Sequence, residues 1–134
     1  MEKTMHSLDR ASEQVRSFME GFGQFVPDIP MVPDPGTQEL RFDLIKEEFE
    51  EWQEAYRAGD LVEIADALCD IIYVCIGTAL AYGIPIAPIF TEVHRSNMDK
   101  IGGPVREDGK ILKPDGWTPP AVTDILLQAS GVKQ

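Results

Sequence analysis

Residues 67–81 read ALCDIIYVCIGTALA, a run that is apolar on nearly every face of a helix. A helix that is apolar all round lies at the centre of a bundle, because each of its faces must pack against a neighbour. The run is short for a membrane span and contains Asp70, so we expect a buried helix in a protein that binds no membrane. An ionised carboxylate buried without a partner is costly. The position of Asp70 therefore calls for a physical reason.

Capping and stop signals predict further helices on both sides of this run. Glycine commonly ends a helix, Ser, Thr or Asp caps its start, and proline fits its first turn. Asp60, with Glu63 three residues later, has the spacing of a capping box. The predicted helices are Ser7 to about Gly21, Thr37 to about Ala58, Asp60 to Tyr82, Pro85 or Pro88 to about Lys100, and Thr118 to about Gly131.

The segments between these helices predict a loop and a hairpin. Residues 26–36 are rich in proline and indicate an extended ordered loop. Asp108–Gly109, between Val105 and Leu112, is a strong two-residue hairpin signal. The sequence thus predicts an all-α fold, a four-helix-type bundle with a short C-terminal hairpin arm, in a single domain over residues 1–134.

Charge and cysteine content restrict the class of protein. The formal net charge of -11 disfavours nucleic acid and anionic membranes, which require a basic surface. Cys69 and Cys75 would face different sides of one helix and cannot pair, so we expect reduced core residues in a cytoplasmic protein. Met1 to Gln24 has no apolar segment of the kind found in signal peptides.

The second predicted helix places a carboxylate inside its own buried stripe. At ~100° per residue, with Glu47 at zero, Leu44 falls near 60° and Trp52 near 140°. Glu48 falls at about 100°, between these two apolar residues, while Glu47 and Glu51 lie along the edge of the stripe. Glu48 is therefore a carboxylate at a core position, with two other acids beside it.

Two further acids precede Asp70 on the same side of the third predicted helix. Asp66 lies one turn earlier and about 40° away, and Glu63 lies another turn back. Each also has an interpretation without a functional role. Glu63 is then the capping partner of Asp60, and Asp66 is a solvated residue at the edge of the bundle. A solvated surface explains Asp70 least well.

Antiparallel packing of these two helices would set four carboxylates opposite one another. Glu48 and Glu51 would face Asp66 and Asp70, and their mutual repulsion would be relieved by a divalent cation with several oxygen ligands. All-oxygen ligation favours Mg²⁺, with Mn²⁺ possible, over zinc. A di-iron site needs Glu-x-x-His pairs, which the two histidines of the chain do not provide.

These acids also carry a resemblance to a known family. The string Glu47-Glu48-Phe49-Glu50-Glu51, followed by an acidic pair before Ile71-Ile72-Tyr73-Val74, resembles the all-α nucleoside triphosphate pyrophosphohydrolase superfamily. That group includes MazG, phosphoribosyl-ATP pyrophosphohydrolase and the dimeric dUTPases, and its signature is EExxE, a spacer and then ExxD. Residues 94–100, 108–110 and 113–117 resemble a MazG-like subgroup allied to the dUTPases. The resemblance covers roughly Phe18 to Pro120.

The resemblance implies a Mg²⁺-dependent enzyme that cleaves a (deoxy)nucleoside triphosphate between its α and β phosphates, giving a monophosphate and pyrophosphate. By matching position, Glu48 and Glu51 would be metal ligands, and Glu47 would orient or deprotonate the attacking water. Read literally, ExxD matches Glu63 and Asp66. We favour Asp66 and Asp70, because both lie on the inner face of the helix.

The substrate and the assembly are further expectations, and one alternative function lies outside the resemblance. The leading substrate candidate is dUTP or a related pyrimidine deoxynucleotide, with nucleotide-pool house-cleaning as the role. The alternatives are dCTP, a modified nucleotide or phosphoribosyl-ATP, and, in another class, a non-catalytic helical interaction module. We expect a homodimer, because small bundles with much apolar helix surface usually bury some against a partner.

Polar residues after the third helix are candidates for substrate binding. Basic side chains suit the β and γ oxygens of a highly charged leaving group. Trp117 covers the base or anchors the C-terminal arm, and for Arg95 and Lys110 a solvated surface is the alternative. The candidates are Arg95, Asn97, Lys100, Lys110, Lys113 and Trp117.

Overall fold

The computed structural model describes residues 4–131, which form five helices and, over that range, no β-strand. The predicted all-α class is therefore confirmed. The helices are α1 (Ser7–Gly21), α2 (Pro35–Ala58), α3 (Leu61–Ala81), α4 (Ile86–Met98) and α5 (Val122–Ala129).

The chain divides into two compact units between Ile84 and Pro85. In the first unit, α1 and α2 both pack on α3, and in the second unit α4 contacts α5. The predictions of one domain over residues 1–134 and of no signal peptide in Met1 to Gln24 both extend beyond the described residues, and they stay predictions.

A short connection makes α2 and α3 antiparallel neighbours. Gly59 ends α2 in the left-handed region, at φ 66°, which glycine adopts at little steric cost. Asp60 then caps α3, and its Oδ1 accepts a hydrogen bond from the backbone N–H of Glu63 at 3.2 Å. Both helix ends agree with the sequence prediction.

The start of α2 differs from the prediction that Thr37 is the cap. Asp34 is the N-cap residue, and Pro35 occupies the first turn. The carboxylate of Asp34 accepts from the backbone N–H of Thr37 at 3.0 Å and from its hydroxyl at 2.7 Å. Thr37 is therefore a donor to the cap, because an aspartate directly before proline is the better start signal.

The remaining boundaries are close to those expected. Pro85 is the N-cap residue of α4, and Pro88 lies in its first turn. α5 begins at Val122 rather than Thr118, since the two intervening prolines cannot donate backbone hydrogen bonds. The predicted hairpin is present as an antiparallel bridge between Val105 and Ile111, with Gly109 at φ 92° in its turn.

The burial of α3 is less complete than predicted. Its buried apolar residues include Ala67, Ile76 and Leu80, whereas Ile72 remains 57% exposed. The expectation that α3 is covered on nearly every face is wrong for this chain, because α1 and α2 enclose only part of its circumference. By length and composition α3 could also cross a membrane, with 28% of its most apolar window buried, but core helices of soluble proteins have the same properties.

Cys69 and Cys75 are free, as predicted, but both are exposed, so their assignment to the core is wrong. They lie on the part of α3 that the first unit leaves uncovered. On α2, Trp52 forms an aromatic cluster with Phe49 and Tyr56, with ring centroids 6.1 and 5.2 Å away.

Candidate functional site

Three carboxylates meet where α2 packs against α3. One oxygen from each of Glu48, Glu51 and Asp70 lies within 4.8 Å of the other two. Glu48 and Asp70 are half-buried, and Glu51 is exposed. The structure thus brings together three of the residues that the sequence assigned to a metal site.

Glu48 is the most constrained member of this cluster. Its Oε2 atom is buried and has no hydrogen-bond partner among the described residues. Such an atom loses its bonds to water without replacement, which is costly for a carboxylate. Burial and then the negative charge of Glu51 raise the pKa of Glu48 to about 7. The site is therefore short of positive charge at its deepest oxygen.

Asp70 experiences the same shortage of positive charge. Burial, followed by the charges of Asp66 and Glu51, raises the pKa of the Asp70 carboxyl above its ordinary value. Across residues 4–131, no lysine or arginine forms an ion pair with Glu48, Glu51 or Asp70. Carboxylate oxygens at this spacing, one of them without a partner, fit a divalent cation such as Mg²⁺ or Mn²⁺.

The other predicted acids surround the cluster. Asp66 and Glu63 are exposed. Together with Glu51, they line a polar groove of about 370 Å³. The backbone N–H of Glu63 donates to the Asp60 cap of α3, while the Glu63 side chain lines this groove. Glu47 is exposed beside the cluster, and its charge contributes to the raised pKa of Glu48.

A second cavity, of about 380 Å³, borders the cluster on its other side. Glu48 and Asp70 line it, whereas Glu51 and Asp66 line the acidic groove. The carboxylate cluster is therefore shared between an acidic groove and a mainly apolar cavity. The apolar lining comes from Val15, Phe18, Met19, Leu40, Leu44, Tyr73 and Val74.

Arg41 also lines the apolar cavity and was missed by the sequence analysis. It is 6% exposed, and its guanidinium donates to the hydroxyl of Thr78 and to the carbonyl oxygen of Val74. A signal was available: Arg41 precedes Glu48 by seven positions, so it lies on the same buried face of α2.

The second unit holds the predicted substrate-binding residues. The indole of Trp117 donates to the carbonyl oxygen of Ser96 at 2.6 Å, and the Nζ atoms of Lys100 and Lys113 lie 5.3 and 5.0 Å from its ring centroid. Lys100 also donates to the side-chain oxygen of Asn97. Lys100 and Lys113 therefore lie over the Trp117 ring, and Asn97 joins this group through Lys100.

The other two candidates are placed differently. Arg95 is held by Glu92 at 2.6 Å and by Asp99 at 2.7 Å, so its guanidinium already has anionic partners. Lys110 is exposed at the hairpin, where its backbone carbonyl accepts from Arg106 at 2.7 Å. Both positions agree with the alternative of an ordinary surface.

Comparison with known proteins identifies the family. A family model described as phosphoribosyl-ATP pyrophosphohydrolase matches residues 15–97, which is more than half of the chain and includes the carboxylate cluster with Glu47, Glu63 and Asp66. The chain is also 47% identical over 51 residues to uncharacterized protein L479 of Acanthamoeba polyphaga mimivirus. That alignment covers 38% of this chain and 20% of the viral protein, so the chain spans only a small part of this relative. The chain belongs to the phosphoribosyl-ATP pyrophosphohydrolase family, within the MazG-like all-α nucleoside triphosphate pyrophosphohydrolase superfamily.

Proposed function

We propose that this protein is a Mg²⁺-dependent pyrophosphohydrolase that cleaves a (deoxy)nucleoside triphosphate between its α and β phosphates. The observation that carries the proposal is the buried Oε2 of Glu48, which has no described partner and lies beside the oxygens of Glu51 and Asp70. Membership of a pyrophosphohydrolase family supports the type of reaction. The chemistry of the cluster supports the requirement for a divalent cation.

The carboxylate cluster would hold the cation. Glu48, Glu51 and Asp70 are the ligands, and Asp66 completes the set from the adjoining groove, with Glu63 as the alternative. When bound, the cation supplies positive charge to the phosphate oxygens. Mn²⁺ satisfies the same oxygen ligands.

Glu47 is the proposed general base. It is exposed at the edge of the cluster, where solvent water reaches it. It orients a water molecule and accepts its proton while the water oxygen bonds to phosphorus. The bridging P–O bond between the α and β phosphates then breaks, and its electron pair leaves on oxygen. The products are a nucleoside monophosphate and pyrophosphate.

The preferred substrate is a finer proposal. The leading candidate is dUTP or a related pyrimidine deoxynucleotide, in a house-cleaning role on the nucleotide pool. The description of the matching family makes phosphoribosyl-ATP a direct rival, and dCTP and modified nucleotides remain alternatives. Arg95, Asn97, Lys100, Lys110, Lys113 and Trp117 stay the substrate-binding candidates predicted from the sequence, and all of them belong to the second unit.

The proposed setting is a cytoplasmic homodimer that binds neither nucleic acid nor membrane. The formal net charge of -11 supports the absence of polyanionic partners. Exposed apolar residues on α3, such as Leu68 and Ile72, support a second copy as the covering surface. A non-catalytic helical interaction module is the weaker alternative, because it leaves the Oε2 atom of Glu48 without a reason.

The deciding experiment is a panel of dNTPs, NTPs and phosphoribosyl-ATP, scored for pyrophosphate release with Mg²⁺ and with EDTA. We expect release from at least one nucleotide with Mg²⁺ and none with EDTA. A thermal-shift measurement in parallel should show stabilisation by Mg²⁺. Absence of both hydrolysis and Mg²⁺-dependent stabilisation would leave the interaction module as the better description.

A further inference from the structure

We infer that Arg41 recognises the base of the nucleotide: the base occupies the apolar cavity, and Arg41 donates a hydrogen bond to a carbonyl oxygen on the base edge farthest from the phosphates. This inference rests on the proposed function, because the phosphates must lie at the carboxylate cluster. It adds the chemical class of base that the site accepts and the residue that selects it.

The first support is a buried cation without an anionic partner. Arg41 is 6% exposed, yet its guanidinium forms no ion pair with any residue in 4–131. Its two hydrogen bonds go to neutral groups, Thr78 Oγ1 at 3.1 Å and the Val74 carbonyl oxygen at 2.9 Å. Buried charges are normally paired, since removing them from water is costly. Arg41 therefore has bonding capacity left for a ligand.

The unused hydrogen-bonding capacity of Arg41 is at Nη1. Nε and Nη2 make the two protein hydrogen bonds, and Nη1 makes none with a described residue. Among the described residues, Glu48 Oε2 is the one fully buried side-chain nitrogen or oxygen without a partner, so Nη1 of Arg41 remains accessible. Arg41 lines the apolar cavity and also a smaller cavity of about 170 Å³. We place the base in the apolar cavity, because that cavity also borders Glu48 and Asp70. Guanidinium nitrogens only donate, so the matching ligand atom must be an acceptor.

The surroundings of Arg41 fix the direction of this donor. Thr78 accepts from Nε and donates its own hydroxyl to the Val74 carbonyl oxygen at 2.8 Å. The guanidinium also lies against Gly77, where any Cβ would collide with Nη2. Two hydrogen bonds and a glycine therefore hold the group in one orientation. A donor fixed in this way discriminates between ligands better than a mobile one, since little entropy is lost on binding.

The cavity suits a base and the opposite groove suits phosphates. The cavity walls are mainly apolar and include the rings of Phe18 and Tyr73, and its volume of about 380 Å³ is of the size found for small-ligand pockets. The groove on the other side of the cluster is lined by acids, which need a cation and attract phosphate through it. A triphosphate inside apolar walls would lose its hydration without compensation.

The position of Arg41 along α2 identifies the edge of the base. Arg41 lies two helical turns, ~10 Å, from Glu48 on the same face. With the α phosphate near the carboxylates, that distance reaches past the sugar to the distal edge of the base. Uracil and thymine carry O4 there and guanine carries O6, whereas cytosine and adenine carry an amino group. The amino group of cytosine or adenine would place an N–H donor against the N–H donor of Arg41. The site should therefore prefer bases that carry a carbonyl oxygen at this edge.

The test compares dUTP with dCTP, which differ at this edge. We measure kcat/KM with Mg²⁺ for the full-length protein and for Arg41→Met, which removes the donor and keeps an apolar side chain. We expect the wild-type protein to favour dUTP, and Arg41→Met to reduce that preference by about 10- to 100-fold, mainly through KM for dUTP. Arg57→Met, at an exposed arginine on the same helix, is the matched control and should leave the ratio unchanged.

A second variant separates recognition from folding. Gly77→Ala keeps Arg41 but forces the guanidinium out of its position, so it should reproduce the loss of preference. Binding of dUMP and dCMP by calorimetry gives a readout that needs no turnover. Equal affinity of the wild-type protein for dUMP and dCMP would overturn the inference, as would an unchanged dUTP to dCTP ratio in a folded variant. Failure of the proposed function is distinguishable, because it appears as no hydrolysis of any nucleotide while the dUMP preference persists.

Discussion

At the scale of single residues, the raised pKa of Glu48 predicts that its contribution to the stability of the metal-free fold falls as the pH rises. Its folded pKa of about 7 lies above the ordinary 4.5, so the folded protein binds this proton more tightly than the unfolded chain. The stability that this tighter proton binding gives to the folded protein is fully present below pH 4.5, and it is lost as the pH rises through about 7. In EDTA, the contribution of Glu48 should therefore lower Tm over that window, and Mg²⁺ should reverse the loss.

Differential scanning fluorimetry across this pH range measures the effect. Other carboxyl groups titrate over part of the window, so the informative quantity is the difference between the wild-type protein and Glu48→Gln. The variant cannot ionise at this position and should show a flatter profile in EDTA and a smaller response to Mg²⁺. Identical profiles for the two proteins would contradict the proposed source of the pH dependence.

Removing one cluster carboxylate should abolish turnover without unfolding the chain. Glu48→Gln or Asp70→Asn takes away a proposed ligand charge, so kcat/KM should fall at least about 100-fold. Far-UV circular dichroism should remain that of a helical protein, since both changes also relieve repulsion between carboxylates. Glu50→Gln, an exposed neighbour on α2, is the control and should retain activity. Normal turnover in either cluster variant would exclude this site.

The residue scale also shows how far a single sequence reaches. Glu48 and Asp70 were predictable, because helical periodicity alone puts a charge at an apolar position. Asp66 and Glu63 proved harder, since periodicity gives the side of a helix but not which of several acids is close enough to meet the opposite helix. Arg41 was missed for a different reason: a metal site requires anions at core positions and gives no reason to expect a buried cation.

At the scale of the helices, the connection Gly59–Asp60 sets the register of α2 against α3 and hence the spacing of the carboxylates. Asp60→Ala removes the side-chain cap of α3 and should lower the free energy of unfolding by about 1 kcal/mol. Asp60→Asn retains a capping oxygen and is the matched control. Urea denaturation measures both, and equal stabilities of the two variants would show that the cap contributes little.

Helix boundaries were predictable where capping signals were unambiguous. Gly59 and Asp60 meet every requirement of a stop followed by a start, and the structure agrees. At α2 two start signals competed, and Asp34 before proline prevailed over Thr37. At α5 the prolines postponed the first helical hydrogen bond, so the start moved to Val122. Such competition is settled by local geometry that composition does not reveal.

At the scale of the whole molecule, the apolar surface of α3 predicts self-association. Ile72 is 57% exposed, and Leu68 is also exposed. Ile72→Glu should shift the proposed homodimer towards monomer, because a charge in an apolar interface is costly to bury. Light scattering coupled to size exclusion measures the mass, and Gln14→Glu on exposed α1 is the control. A wild-type protein that is monomeric at all concentrations would contradict the proposal.

The same surface explains why the burial of α3 was overestimated from sequence. Hydrophobicity indicates that a residue prefers to leave water, but it does not identify the chain that covers it. The run of residues 67–81 predicts a helix at the centre of a bundle, but it does not show whether one chain or two build that bundle. In the structure of one chain, α1 and α2 cover only part of it, and the exposed cysteines belong to the remainder.

The placement of the two tryptophans gives the chain an intrinsic pair of optical reporters. Trp52 emits from the aromatic cluster on α2 in the first compact unit, and Trp117 emits beneath two ammonium groups in the second. Replacing Trp52 with phenylalanine isolates the signal of one unit, and the same change at Trp117 isolates the other. The melting of each half can thus be followed by its own fluorescence, without any attached dye.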